Sequence, residues 1–303
     1  MNARIARSSA AVRTAVLLSH SDSAETAAAA ATAAAAAKRA GCRLVTVEEL
    51  DDRGDRVEIV GELPSDPDLC LVLGGDGTIL RGLRTFGAAR VPVFGINFGT
   101  IGFLAAVEGE ELEHGLELAF AGEFDVMELP GLELGTGGDG SIGLNDVSFT
   151  RQPHRRVAEI AYRVDGEEVG HVRCDGLVAA TPAGSTGYNL ANQGPVLAWG
   201  VEGFAVSFIA PHTLTARPLV VAPSDVLQVR NAGQRDAVDI AFDGQPAGVL
   251  PPGEEVEVRF RDGAACLAQL PGSSFYRRVR EKFGAMATQL GPIRRQSTGS
   301  ARS

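Results

Sequence analysis

The sequence predicts an α/β N-terminal domain, a parallel sheet with flanking helices, joined to a mainly antiparallel β C-terminal domain. Three observations lead there. Short apolar runs at 13–19, 42–47, 69–73 and 91–96 alternate with helix-like stretches, as strands buried on both faces of a parallel sheet do. Beyond Phe124 the runs become short, alternating and separated by glycine and proline, as in antiparallel β structure. A chain of 303 residues, 45% of them hydrophobic, can bury the core of one large domain or two ordinary ones.

In chain order, Arg13 to Ser19 (RTAVLLS) reads as a short buried strand. The alanine-rich run from Ala24 to Ala40 has high helix propensity and stops at Gly41, so its low complexity marks a helix rather than a linker. Cys42 to Val47 and Leu69 to Leu73 (LCLVL) are the next strands, the latter ending directly in a glycine-rich run. Ile79 to Phe86 reads as a helix, Val91 to Ile96 as a strand and Glu110 to Ala121 as a helix, which sets an α/β domain over 13–124.

The segments GSIGLNDVSFTR, VAEIAYRVDG, HVRCDGLVAAT, PLVVAPSDVLQVRN, AVDIAFDGQ and EEVEVRFRDG then build a β-rich domain over 125–271. Ser274 to Met286 reads as a closing helix within 272–290, expected to pack back on the N-terminal domain. Residues 1–12 and 291–303 are expected to be disordered tails.

A net charge of −10 argues against a surface that neutralises a nucleic-acid backbone, while leaving room for a local basic pocket that takes phosphates. Cys42, Cys70, Cys174 and Cys266 are far apart and form no C-x-x-C pair, which reads as buried thiols in a reducing compartment. The start has no apolar core of signal-peptide length, and no later stretch is apolar enough to span a bilayer. The expectation is a cytoplasmic protein without nucleic-acid or membrane partners. His114, His154 and His171 lack metal-site spacing. His20, after the first strand, reads as capping or solvated, and His212 falls in the run from Pro211 to Pro218.

Chemistry first appears at Gly74-Gly75-Asp76-Gly77-Thr78, where a strand feeds a helix. Backbone N–H groups near a helix N-terminus welcome phosphate oxygens, and absent Cβ atoms allow close approach. Neither a Walker lysine spacing nor G-x-G-x-x-G is present. As a plain βα turn the run would use Asp76 as a helix cap; as a phosphotransferase loop it would use that carboxylate to accept a sugar hydroxyl's proton. Arg81, one turn on, is placed either to meet a phosphate or to face solvent.

The second cluster is Asp175-Gly176-Leu177 with Thr181 to Ala191 (TPAGSTGYNLA), small and hydroxyl residues leading into a helix start, with Tyr188 offering a ring face. The third is Asn145-Asp146, an amide beside a carboxylate, able to satisfy ribose hydroxyls or an exocyclic amine, or else a turn before a strand.

In combination and order these pieces resemble the NAD kinase family. The segment LGGDGTILRGLRTFGAARVPVFGINFGTIGFLAAV is similar to its first signature, LNDVSFTR to its Asn-Glu motif and CDGLVAATPAGSTGYNLA to its glycine-rich nucleotide loop. Pro211 to Pro218 and Phe242-Asp243-Gly244-Gln245 match as well, so the likeness runs from Arg13 to about Gly284. Because GGDGT also occurs in phosphofructokinases and diacylglycerol-type lipid kinases, the later motifs decide.

The resemblance implies an active site in the cleft between the two domains, where ATP, or inorganic polyphosphate, phosphorylates the 2′-hydroxyl of the adenosine ribose of NAD. Asp76 takes the proton-accepting position, with Gly74, Gly75, Gly77 and Arg81 around the phosphates. Asn145 and Asp146 hold the dinucleotide, and Asp175 meets a polar group of its base or amide. Thr186, Gly187, Tyr188, Asn189, Leu190 and Ala191 line the nucleotide pocket, and Arg156, Arg173, Ala210 and Gln245 fall at further contact positions. The resemblance also implies a divalent cation, magnesium, held by phosphates and water rather than by a dedicated residue cluster, and a homodimer or homotetramer. A non-catalytic NAD-binding regulator is the rival of another class, and the intact Asp76 speaks against it. Three departures stand out: Asp146 replaces the usual glutamate, Ala183 a common hydroxyl residue and Gly187 a common alanine. Trp199 lies in a stretch that departs from the family and reads as core.

Overall fold

The structure, a computed structural model, describes residues 5–7, 10–19, 24–47, 57–98, 102–135 and 141–284. His20, the segment 285–290 and the tail 291–303 lie outside the described residues.

The N-terminal half holds β1 (Ile5–Arg7), β2 (Thr14–Ser19), α1 (Ala24–Ala40), β3 (Arg43–Thr46), β4 (Glu58–Ile59) and β5 (Leu69–Leu73). It continues with α2 (Asp76–Phe86), β6 (Pro92–Asn97), β7 (Val107–Glu108) and α3 (Leu112–Ala121). β6, β5, β2, β3 and β4 lie side by side, all parallel. Every residue of β5 is buried, because helices cover both faces of the sheet. α1 and α3 close one face through Ala29, Ala30, Ala33, Ala37, Leu116 and Phe120. α2 closes the other through Ile79, Leu80, Leu83 and Phe86.

The C-terminal half holds β8 (Asp125–Leu134), β9 (Ile142–Gly143), β10 (Asp146–Arg151), β11 (Ala158–Val164), β12 (Glu167–Cys174) and β13 (Gly176–Ala180). Then come α4 (Tyr188–Ala191), β14 (Phe204–Ile209), β15 (Leu219–Val221), β16 (Leu227–Asn231), β17 (Val238–Phe242), β18 (Gln245–Leu250), β19 (Glu255–Gln269) and α5 (Phe275–Phe283). Six strands form an antiparallel sheet in the order β15-β14-β13-β10-β17-β18.

The remaining C-terminal strands join the N-terminal sheet. β19 pairs parallel with β6 and antiparallel with β8 and β16, so the N-terminal sheet extends through β19, β16, β11 and β12. An apolar parallel edge at β6 is thereby covered. Ile5–Arg7, expected within a disordered tail, pairs antiparallel with β8.

The chain crosses between the two sheets at several points, two of which carry Asn145 and Asp175. Leu144-Asn145 takes it from β9 in the large sheet to β10 in the small one, and Asp175 alone separates β12 in the large sheet from β13 in the small one.

Candidate active site

The run Gly74 to Thr78 is divided by the fold. Gly74, at φ 154°, and Gly75 make the turn out of β5, whereas Asp76 is already the first residue of α2. The helix therefore begins three residues before the apolar periodicity of Ile79 signals it. Gly75 is the N-cap and makes no side-chain cap bond, so Asp76 is not spent on capping its own helix. Its carboxylate instead accepts the backbone N–H of Phe103 at 2.8 Å and of Leu104 at 3.0 Å. A Cβ on Gly102 would occupy the space of that carboxylate, which is why glycine stands there.

Gly74 to Thr78, Arg81, Asn97, Gly102 and Lys282 line a cavity of about 680 Å³. Arg81 donates to the carbonyl of Ser19 at 3.0 Å. Behind the cavity, Glu108 accepts from the Asn97 amide at 3.1 Å. Burial pushes the Glu108 carboxyl up; Asn97 and Arg278 pull it back, and the charges of Asp76 and Glu281 add to the rise.

Asn145 and Asp146 are held from beneath by Asp243. The two-residue turn Asp243-Gly244 joins β17 to β18 with φ of 48° and 76°, the left-handed pair such a hairpin requires. From that turn the Asp243 carboxylate accepts the backbone N–H groups of Leu144 (3.1 Å), Asn145 (2.6 Å) and Asp146 (3.1 Å). Asp146 is 6% exposed. Burial first, and the neighbouring Asp243 second, push its carboxyl up to about 7. Asp243 is raised too by burial, with its three N–H donors and Arg84 opposing the rise.

Thr181 ties the glycine-rich loop to this corner. Its hydroxyl donates to the Leu144 carbonyl at 2.6 Å, and its N–H to the Asn145 carbonyl at 2.9 Å. Thr186 donates to the Ala183 carbonyl at 3.2 Å. Gly187, Tyr188 and Ala191 are exposed and Leu190 is half-buried. The Tyr188 phenol is pushed up by burial and by the charges of Asp146 and Asp175.

Asn189, expected among the residues lining the nucleotide pocket, also holds the loop from within. It is fully buried, with its amide donating to the carbonyls of Ser185 and Pro195 at 3.0 Å each, so it locks the loop.

Asp175, at the sheet crossing, is gripped by Arg151 through Nε at 2.6 Å and Nη2 at 3.4 Å. The pairing of Gly176 with Ile209 sets Asp175 beside Ala210, which is exposed at φ 43°. Arg151 also lines a cavity of about 360 Å³ with Arg156, Arg173, Arg235, Glu159 and Asp236. Its lining has no residue in common with that of the cavity at Asp76. Gln245 lines a third, of about 840 Å³, with Arg84 and Leu144.

The predicted residues thus fall into the glycine-rich turn at Asp76, the Asn145-Asp146 corner, Asp175 at the other end of the β10–β13 pair, and Arg156, Arg173 and Gln245 in other cavities. Reasoning from sequence missed Gly102, Arg151 and Asp243. The Asp-Gly pair between alternating apolar runs is a hairpin signal that could have marked the turn, though not the acceptor it carries.

Comparison with known proteins places these elements in a family context. Residues 8–124 match the model of the ATP-NAD kinase N-terminal domain, and residues 144–269 that of the ATP-NAD kinase C-terminal domain. An NAD kinase of Gemmatimonas aurantiaca is 35% identical over 244 residues, covering 78% of this chain and 84% of the relative. An NAD kinase 2 of Streptomyces coelicolor is 34% identical over 284 residues, covering 90% and 94%. Among solved structures, an NAD kinase from Archaeoglobus fulgidus in complex with ATP aligns with a TM-score of 0.69 and 26% identity, over 91% of this chain and 98% of that one. Yeast NADH kinase complexed with NADH shares the fold at a TM-score of 0.78 and 19% identity, over 95% and 90%.

Proposed function

Because the chain belongs to the ATP-NAD kinase family, and is a phosphotransferase that converts NAD to NADP with ATP as donor, we propose that Asp76 is its proton acceptor. One observation carries this reading. The carboxylate lines the cavity beside the glycine-rich turn and is oriented by two backbone N–H groups rather than by its own helix. Each oxygen accepts one N–H and keeps a lone pair for a substrate.

The 2′-hydroxyl of the adenosine ribose donates to Asp76, which takes its proton as the hydroxyl oxygen bonds to the γ-phosphorus of ATP and the bond to the ADP oxygen breaks. The start of α2 and the side chains of Arg81 and Lys282 receive the donor phosphates. Asn145, Asp146, Asp175 and the ring of Tyr188 hold the dinucleotide. Arg156, Arg173, Ala210 and Gln245 extend those contacts.

Among the described residues, no three His, Cys, Asp or Glu gather to hold a metal ion. Of the described residues that line its cavity, Asp76 alone carries a carboxylate. That donor set suits a hard cation such as magnesium held by donor phosphates and water with at most one carboxylate. When bound, the cation would neutralise phosphate charge. No described helix is long and apolar enough to cross a membrane. With four buried free thiols, this supports a cytoplasmic enzyme. A homodimer or homotetramer is proposed on the family resemblance.

The test is NADP formation from NAD, ATP and magnesium, followed with an NADP-specific dehydrogenase. Asp76→Asn is expected to lower kcat by roughly 10² or more with NAD binding retained. Near wild-type turnover would remove the role from Asp76.

A further inference from the structure

We infer that Arg278, on α5, is a positioning residue for Asp76, acting through the backbone of residues 102–104. This rests on the proton-accepting role proposed above. α5 lies beyond residue 269, where the match to the family model ends.

The segment 102–104 is pinned on two sides. Its N–H groups at Phe103 and Leu104 point to the Asp76 carboxylate. Two of its carbonyls are taken by side chains of α5 and β19. Gly102 O accepts from Arg278 Nη1 at 3.4 Å, and Leu104 O accepts from Gln269 Nε2 at 2.8 Å. Arg278 Nη2 donates to Gln269 Oε1 at 2.7 Å, closing the circuit. Gln269, the last residue of β19, is 4% exposed, so its amide has few other ways to be satisfied.

Packing reinforces the polar contacts. The Phe103 ring lies 6.1 Å from that of Phe275 and 5.8 Å from that of Phe283, centroid to centroid, with the Lys282 ammonium 4.7 Å from its centre. The Arg278 guanidinium stands 5.5 Å from the Trp199 ring.

A guanidinium is suited to this position because its rigid fork serves two acceptors at once, Gly102 O and Gln269 Oε1. An ammonium on a flexible stem reaches one of them well. Burial lowers the pKa of Arg278, while Glu108, Asp76 and Glu281 oppose that and favour its charged form. A guanidinium stays protonated in proteins, so Arg278 keeps its donors, and through 102–104 it fixes the direction in which the Asp76 carboxylate points.

The test is steady-state kinetics of Arg278→Ala and Arg278→Lys, alone and combined with Asp76→Asn, on protein shown to be folded by circular dichroism. Misplacing a reacting group is costly, so Arg278→Ala should lower kcat by roughly tenfold or more, leave both KM values within about twofold, and be partly rescued by lysine. Acting through Asp76, it should cost little more in the Asp76→Asn background. An unchanged kcat, a loss confined to KM, or effects that multiply independently would each overturn the inference. If Arg278→Ala does not fold, Arg278→Lys carries the same kcat and coupling measurements. Near wild-type turnover in Asp76→Asn alone would instead overturn the role of Asp76 itself.

Discussion

The carboxylate of Asp76 fills the volume that a side chain on Gly102 would need, although the two residues are 26 positions apart in sequence. Gly102 precedes the two N–H donors that orient Asp76, at Phe103 and Leu104. The two positions are therefore coupled.

Gly102→Ala should displace the Asp76 carboxylate while leaving the sheets intact. The expected outcome is a loss of about 10²-fold in kcat, since small misplacements of a reacting group are costly, with the far-ultraviolet circular dichroism spectrum unchanged. Wild-type kcat in a folded variant would show that the carboxylate finds its place without the glycine.

Asp243→Ala should act on the dinucleotide corner. Removal of its carboxylate leaves the N–H groups of Leu144, Asn145 and Asp146 without their acceptor. A destabilisation of about 2–4 kcal/mol is expected in urea unfolding, with KM for NAD rising more than KM for ATP. Equal rises in the two KM values would disconnect Asp243 from the NAD side.

Asp146 gives stability a pH dependence of definite sign. Its folded-state pKa is raised from 3.8 to about 7 by burial and by Asp243. Between those two values the folded state binds more protons than the unfolded one, so this residue's contribution is full below pH 4 and is lost as pH rises through about 7. Asp146→Asn removes that slope. Its Tm relative to wild type should rise by several degrees between pH 4.5 and pH 8, roughly 5 °C for a chain of this size. A difference in Tm that does not vary with pH would refute the shift.

Arg151→Ala releases Asp175. Their side chains are 35% and 32% exposed, so the pair should add no more than about 1 kcal/mol to stability. The effect is expected in recognition, with KM for NAD up several-fold and kcat within about twofold. Unchanged KM would indicate that Asp175 does not need its partner.

Most of the fold can be read along the chain because buried parallel strands are continuous apolar runs, as LCLVL at 69–73 is. The alanine run is a helix for a local reason as well, its propensity and its stop at Gly41. Strand identity says nothing about partners, however. The apolar pattern of β19 marks a strand, but its place beside β6 depends on an edge contributed from far upstream.

The glycine-rich turn at 74–78 shows the same division. Glycine, aspartate and threonine at 74–78 mark a turn that allows close backbone approach at a helix start, a local property that by itself leaves a phosphate loop and a plain βα turn both open. Sequence alone thus determined that Asp76 stands at a glycine-rich turn where a strand feeds a helix. Where its carboxylate points was decided by tertiary structure, since the donors at Phe103 and Leu104 and the anchor at Arg278 come from segments 27, 28 and 202 residues away. A hydrogen bond between distant segments leaves no periodicity or spacing in the chain; only folding brings its two ends together.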